Sequence, residues 1–379
     1  MFFWILIGVF FIFLGPFLFL VFIFSNFLLP FSAFSKDCDL EYTEDLLLKK
    51  KCDARVRHGW KEINFYCGGG EFSCRAHFLR IPHPDAPTIL LLHGNGSSSI
   101  CFREIFDALS RDFDVVALDL PGFGRSTSMR PSRELSTEFY AQFIYFFLCE
   151  LSLTRVFVAG HSFGGFVGSV FACRYPHRVS HLLLIDSAGI FPTLGWSGAY
   201  WGVFFKFSVL QSARNFGIFG GGVFSTLCRL FGFDALEAVY WHAIFRASWG
   251  DKVVGEHISV SWTRSQWTEP ILPLVCKLRI PIATVYGRHD CIMPLHQGEI
   301  LRDIWGWGIF ILEQSGHSPF HGVDAGVLAG HILEFFGNCK ASSAAKRVDT
   351  GELLQFESSF SPGDTLACIE RMYEYLHIL

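Results

Sequence analysis

Three residues of this 379-residue chain have the types and order that nucleophilic acyl chemistry needs: Ser162, Asp290 and His317. Ser162 is the centre of Gly160-His161-Ser162-Phe163-Gly164, which follows the β-rich run Val156-Phe157-Val158-Ala159 and opens a helical stretch at 163–175. That context predicts a strained strand-to-helix turn with the serine hydroxyl exposed above a sheet. The glycines at 160, 164 and 165 fit it, because a Cβ is intolerable where turn, strand and helix crowd together. A serine hydroxyl is a poor nucleophile near neutral pH, so a base must take its proton and an acid must orient that base. Asp290 ends a strand and polar loop at 280–290, and His317 follows the strand expected at 307–313 on Gln314-Ser315-Gly316-His317. Ser, then Asp, then His is the chain order expected when such a turn sits on this kind of sheet. Asp186, closing the strand at 181–186, is the alternative acid. His321, expected inside the next helix, is the alternative base.

The elements that must hold these groups carry signals of their own. Residues 88–92, Thr-Ile-Leu-Leu-Leu, form a continuous apolar run, as buried parallel strands do. The run ends in His93-Gly94-Asn95-Gly96-Ser97, a glycine-rich turn. The backbone N–H groups of Asn95 and Phe163 are candidates for an oxyanion hole, where one donor is worth about 3–4 kcal/mol. A strand at 113–119 runs into Leu120-Pro121-Gly122-Phe123-Gly124-Arg125-Ser126, read as a structural loop that shapes the pocket wall.

Taken in order, His-Gly-Asn-Gly (93–96), Asp-Leu-Pro-Gly-Phe-Gly-Arg-Ser (119–126), Gly-His-Ser-Phe-Gly-Gly (160–165), Gly-Arg-His-Asp (287–290) and Gly-His (316–317) resemble the α/β-hydrolase superfamily over about residues 60–337. The resemblance implies an α/β fold with a mostly parallel central sheet, helices on both faces and an inserted helical lid. Residues 184–192, Leu-Ile-Asp-Ser-Ala-Gly-Ile-Phe-Pro, are similar to the subfamily acting on N-acyl phospholipids and lysophospholipids. Some members of that group carry His-x4-Asp at the catalytic histidine. Here position 322 is Gly, and His181 and Asp186 have the spacing only on a core strand. Epoxide hydrolases and dehalogenases of similar architecture present Asp at the elbow, so serine points to acyl transfer to water.

The N-terminus is the other strong feature. Residues 1–35 hold no charged side chain and twelve phenylalanines, long and apolar enough for a membrane anchor of about 20 residues, spanning or re-entrant at Gly15-Pro16. Lys36 and Lys49-Lys50-Lys51 follow the segment and none precedes it, which predicts a cytosolic catalytic domain. The sequon Asn95-Gly96-Ser97 lies in the proposed oxyanion loop, where a glycan would obstruct the site. Twelve cysteines leave the compartment open, and Cys67 and Cys74 are spaced to pair across a hairpin in a luminal domain.

The resulting organisation is an anchor at 1–35, a polar and basic linker at 36–59, one catalytic domain at 60–337, and a flexible tail at 338–379 that ends in an amphipathic helix. Strands at 60–67 and 72–82 open the domain. The lid at 190–277 is dense in aromatic residues, among them Trp196, Trp201, Trp241 and Trp262. A lining of that kind suits an acyl chain, and a helical cap with a small core of its own would need the same aromatic residues. The expected function is a membrane-anchored serine hydrolase acting on a lipid-like ester or amide, with the bilayer and the lipid as partners. No cofactor-binding or metal residues are assigned. A net charge of −4 gives no electrostatic footprint for nucleic acid. A non-catalytic lipid- or protein-binding scaffold and a tethered small-molecule carboxylesterase or thioesterase are the alternatives.

Overall fold

A computed structural model of the chain describes residues 45–49, 52, 55–67, 70–95, 97–126, 137–190, 271–290 and 292–343. The anchor, nearly all of the lid and the terminal amphipathic segment expected from the sequence lie outside these residues.

Eight strands form one sheet in the order β1-β2-β4-β3-β5-β6-β7-β8. They are β1 (Arg57–Cys67), β2 (Gly70–Ile81), β3 (Thr88–Leu92), β4 (Asp114–Leu118), β5 (Val156–His161), β6 (Val179–Ile185), β7 (Ile282–Gly287) and β8 (Gly308–Leu312). β2 runs antiparallel to β1 and β4, and every other pair is parallel. Successive strand residues point to opposite faces, and the core divides accordingly. Leu90, Leu92, Val158, Leu182 and Leu184 pack to one side with the helices Thr137–Glu150 and Phe163–Arg174. Ile89, Leu91, Phe157, Ala159, Leu183 and Ile185 pack to the other, against the helices Phe106–Leu109 and Gly322–Ser343. The central strands read as unbroken apolar runs because helices cover both of their faces.

Several boundaries differ from the sequence expectation. β1 starts at Arg57 and not at residue 60, since an edge strand tolerates exposed polar residues at its start. Residues 45–49 are helical, and Leu47 and Leu48 are buried in the core, so part of the expected linker packs on the domain. The last helix runs to Ser343, past the expected tail boundary at 338. His321 precedes this helix, which begins at Gly322. Cys67 pairs with Gly70 and Cys74 with Ile63 in the β1–β2 ladder, so the two are not opposite each other. The main chain returns at Ile271, whose N–H bonds Gly189 O at 3.0 Å, and Leu272 and Val275 are core residues. Ile271, Leu272 and Val275, expected within the 190–277 lid, are thus buried in the domain core.

Candidate active site

Ser162 stands between β5 and the helix Phe163–Arg174 with φ 50° and ψ −117°. A non-glycine residue in that region is strained and persists only where its surroundings hold it. Here they do. Ser162 N–H bonds Ile185 O at 2.9 Å, and Ala188 N–H bonds Ser162 O at 3.0 Å. The glycines permit the close approach: a Cβ on Gly160 would lie 2.5 Å from Gly164 O, and one on Gly164 would lie 2.5 Å from His93 O.

The Asp290 and His317 loops are stitched to one another. His289 N–H bonds Ser315 O at 2.9 Å, Arg288 N–H bonds Leu312 O at 3.0 Å, and the Arg288 guanidinium pairs with Glu313. A Cβ on Gly287 would lie 2.5 Å from Gly316 O, so the two loops are in contact. This brings the three residues singled out in the sequence together. His317 Nε2 lies 3.0 Å from Ser162 Oγ, and His317 Nδ1 lies 2.7 Å from Asp290 Oδ2. The Asp290 side chain is fully buried, whereas that of His317 is 22% exposed. Asp290 Oδ1 accepts Ile292 N–H at 2.7 Å and Met293 N–H at 2.9 Å. Burial alone would raise the Asp290 pKa. The hydrogen bond and charge of His317, with the two amides, outweigh it and hold the carboxyl below its usual range.

The alternative acid and base stand elsewhere. Asp186 accepts Gly287 N–H at 2.9 Å on Oδ1 and makes no bond to His317. His321 Nδ1 faces Arg103 Nη2 at 3.3 Å and Glu104 Oε1 at 3.6 Å. His181 packs on Phe157 and Phe335, away from the end of β6 where Asp186 sits. The Gly94–Asn95 turn abuts the elbow, since a Cβ on Gly94 would lie 3.2 Å from Ser162 Cβ. Phe163 follows Ser162 directly, and Asn95 follows Gly94 in the abutting turn. Among the described residues, no group of three or more His, Cys, Asp or Glu is arranged to hold a metal ion.

Two supporting groups escaped the sequence reading. His161 Nε2–H donates to His317 O at 2.6 Å, fixing the backbone of the histidine loop. Burial, reinforced by the nearby His317, lowers the His161 pKa to about 3, so this ring is a neutral strut. Asp119 ties the 119–126 loop together. It accepts Ser99 N–H at 2.6 Å and Arg125 N–H at 2.9 Å and meets His77 Nδ1 at 2.6 Å, which in turn leads to His58 Nδ1 at 2.9 Å. The only sequence signal for either was position: each lies beside a glycine-rich turn at a strand end.

Comparison with known proteins agrees with this architecture. The chain is 28% identical over 228 residues to the 1-acylglycerol-3-phosphate O-acyltransferase ABHD5 of Rattus norvegicus, covering 54% of this chain and 64% of that protein. Among solved structures, a membrane phospholipase A, described as a bacterial virulence factor, superposes with a TM-score of 0.57 at 22% identity, covering 79% of this chain and 90% of that one. Carboxylesterase CesB from Bacillus subtilis gives 0.59 at 18% identity, covering 79% and 97%. At these identities the structures speak for the fold alone. The family profile described as the alpha/beta hydrolase fold matches residues 87–321, a stretch that holds the elbow, both stitched loops and six of the eight strands. The chain belongs to the α/β-hydrolase fold family.

Proposed function

We propose that this protein is a membrane-anchored serine hydrolase that cleaves an ester or amide bond of a lipid-like substrate. The observation that carries the reading is the unbroken line from Ser162 Oγ to His317 Nε2 at 3.0 Å and from His317 Nδ1 to Asp290 Oδ2 at 2.7 Å, on a strained elbow. In this reading His317 takes the Ser162 proton as Oγ attacks the carbonyl carbon. The backbone N–H groups of Asn95 and Phe163 stabilise the oxyanion that forms. The imidazolium, stabilised by Asp290, then protonates the leaving group and an acyl-enzyme remains. Water, deprotonated by His317, releases the acid and restores Ser162.

The lipid assignment rests on composition. The charge-free, phenylalanine-rich residues 1–35 supply an anchor, with the catalytic domain on the cytosolic side, and the aromatic residues of the 190–277 insertion supply a lid over the acyl chain. The hydrogen bond between Ile271 and Gly189, next to the elbow, supports an insertion at that point of the chain. A second reading, transfer of the acyl group to a lysophospholipid acceptor, is favoured by the name of the rat relative, of whose length the chain spans 64%. Both readings pass through the same acyl-enzyme and differ only in what resolves it.

The test is fluorophosphonate labelling of the detergent-solubilised full chain beside Ser162→Ala and His317→Ala. Labelling of the wild type that vanishes in both variants supports an activated serine. Folded wild type that stays unlabelled refutes it and leaves the scaffold reading. Release of free fatty acid, against formation of a diacyl product when lysophosphatidic acid is added, separates hydrolysis from transfer. A preference for short-chain over long-chain esters would instead favour the tethered esterase.

A further inference from the structure

Asp186 is a buried acid beside the site that the chemistry above does not use. It follows β6 immediately: Asp186 N–H bonds Val285 O at 2.9 Å, one residue after Ile185 O takes the N–H of Ser162. Its side chain is completely buried, and its φ is +42°, uncommon for any residue but glycine, asparagine and aspartate. Oδ1 accepts Gly287 N–H, while Oδ2, equally buried, receives no hydrogen-bond donor. Asp290 stands beside it, because Gly287 gives its N–H to Asp186 Oδ1 and its O to Asp290 N–H at 3.1 Å.

Two carboxyl groups sharing a dry site cannot both be ionised. Which one keeps the proton follows from the donors each receives. Asp290 is given three: His317 Nδ1–H, Ile292 N–H and Met293 N–H. Asp186 is given one. We propose that Asp186 is a neutral carboxylic acid whose Oδ2–H bonds the Asp290 carboxylate, a positioning residue that completes the hydrogen-bonding shell of the acid behind His317. The charges agree with this assignment: burial and the neighbouring Asp290 push the Asp186 carboxyl well above its usual range, while Asp290 is held below its own. The proton also explains the otherwise unsatisfied Oδ2, because a buried carboxylate oxygen with no donor is costly and a hydroxyl in its place is satisfied by an acceptor.

This inference deepens the serine-hydrolase reading and rests on it for its catalytic consequence, so the test has one arm that does not involve activity. Infrared spectra of the full chain at neutral pH are compared between wild type and Asp186→Asn. The wild type should show the C=O stretch of a protonated carboxylic acid, shifted in D2O and lost in the variant. Absence of such a band overturns the proposal even if the enzyme is fully active. In the activity arm, Asp186→Ala should label with fluorophosphonate on the order of ten- to a hundred-fold more slowly, as expected for loss of a hydrogen bond to a buried charge. Asp186→Asn, which keeps an N–H donor, should recover most of that loss. Asp290→Asn should fall on the order of ten-thousand-fold through the wrong tautomer. An Asp186→Asn loss as deep as that of Asp290→Asn would mean Asp186 works as an anion, and an Asp186→Ala rate equal to wild type would mean the contact is inert. Either overturns the proposal. Wild type that shows the band but never labels leaves the proton assignment standing and refutes the hydrolase reading instead.

Discussion

Gly164→Ala tests whether the crowding at the elbow holds Ser162 where it is. A Cβ at 164 would meet the carbonyl oxygen of Leu92 and would lie 2.5 Å from that of His93, about 1 Å inside ordinary contact distance. Neither oxygen can rotate away freely, because both are backbone: Leu92 ends β3 and is paired on both sides, and His93 follows it directly. The strain must therefore be relieved by the helix Phe163–Arg174 lifting by roughly 1 Å, and Ser162 sits at the N-cap of that helix. The 3.0 Å separation between Ser162 Oγ and His317 Nε2 would open beyond hydrogen-bonding range. Overpacking of this kind costs about 1–3 kcal/mol of stability, and a 1 Å misplacement of a reacting group costs about a hundred-fold in rate. Gly168→Ala is the matched control on the same helix. Its Cβ would meet only side chains, Val158 Cγ1 at 3.1 Å and Leu92 Cδ1 at 3.4 Å, and alanine favours the helix by up to about 1 kcal/mol. The assay is the second-order rate of fluorophosphonate labelling, with thermal unfolding measured in parallel. If Gly164→Ala labels and melts like Gly168→Ala, the crowding does not position the serine, and the reasoning is wrong.

Two further predictions concern acid. Burial opposes ionisation of Asp119, but the hydrogen bond and charge of His77, with His93 and the Arg125 N–H, outweigh it and bring its pKa from 3.8 to about 2. A carboxyl depressed in the folded state contributes stability that is complete above 3.8 and is lost as pH falls through about 2. Asp119→Asn should therefore cost about 2 kcal/mol at neutral pH and flatten the stability-against-pH slope in that window, as read by urea unfolding; equal slopes in both proteins would sink the prediction. His161 has the opposite chemistry with the same direction of loss. Its folded pKa falls from 6.5 to about 3 through burial and the nearby His317, so the unfolded chain takes the proton first, and stability declines as pH drops from 6.5 towards 3. His161→Gln, which keeps an N–H for His317 O, should unfold with a shallower pH dependence across that window, and an unaltered slope would show that His161 is not the titrating strut.

The legible parts of the fold were those where burial on both faces leaves an unbroken apolar run. β3, β5 and β6 announce themselves because helices cover both sides, and the glycines at 160 and 164 mark the elbow because backbone must pass within contact distance of backbone. Ser162, Asp290 and His317 were legible from motif and order, and the structure brings them within hydrogen-bonding distance. What was not legible depends on partners distant in sequence. Leu47 and Leu48 sit in a charged stretch that reads as linker, yet both are buried in the core, and Asp45 beside them pairs with Arg125 at 2.8 Å. Nothing local in His161 or Asp119 distinguishes a strut or a loop clamp from any other polar residue at a strand end, because the groups they bind arrive from His317, His77 and Ser99. Cys67 and Cys74 looked pairable from spacing, but ladder register, which spacing does not reveal, sets them against different partners.

The sheet order also decides which acid serves the histidine. Ser162 follows β5 and Asp290 follows β7, with β6 between them. Adjacent strands lie about 4.8 Å apart, so the ends of β5 and β7 are separated by roughly 10 Å. One imidazole with a hydrogen bond at each end, 3.0 Å to Ser162 and 2.7 Å to Asp290, suits such a gap. It reaches the site from the loop after β8. Asp186, immediately after β6, is next to the elbow, and its carboxyl accepts the Gly287 N–H at the start of the Asp290 turn. The strand that separates nucleophile from acid is thus the one whose terminal residue must be compatible with a carboxylate beside it, and a second acid at that point can be accommodated only as a hydrogen-bond donor.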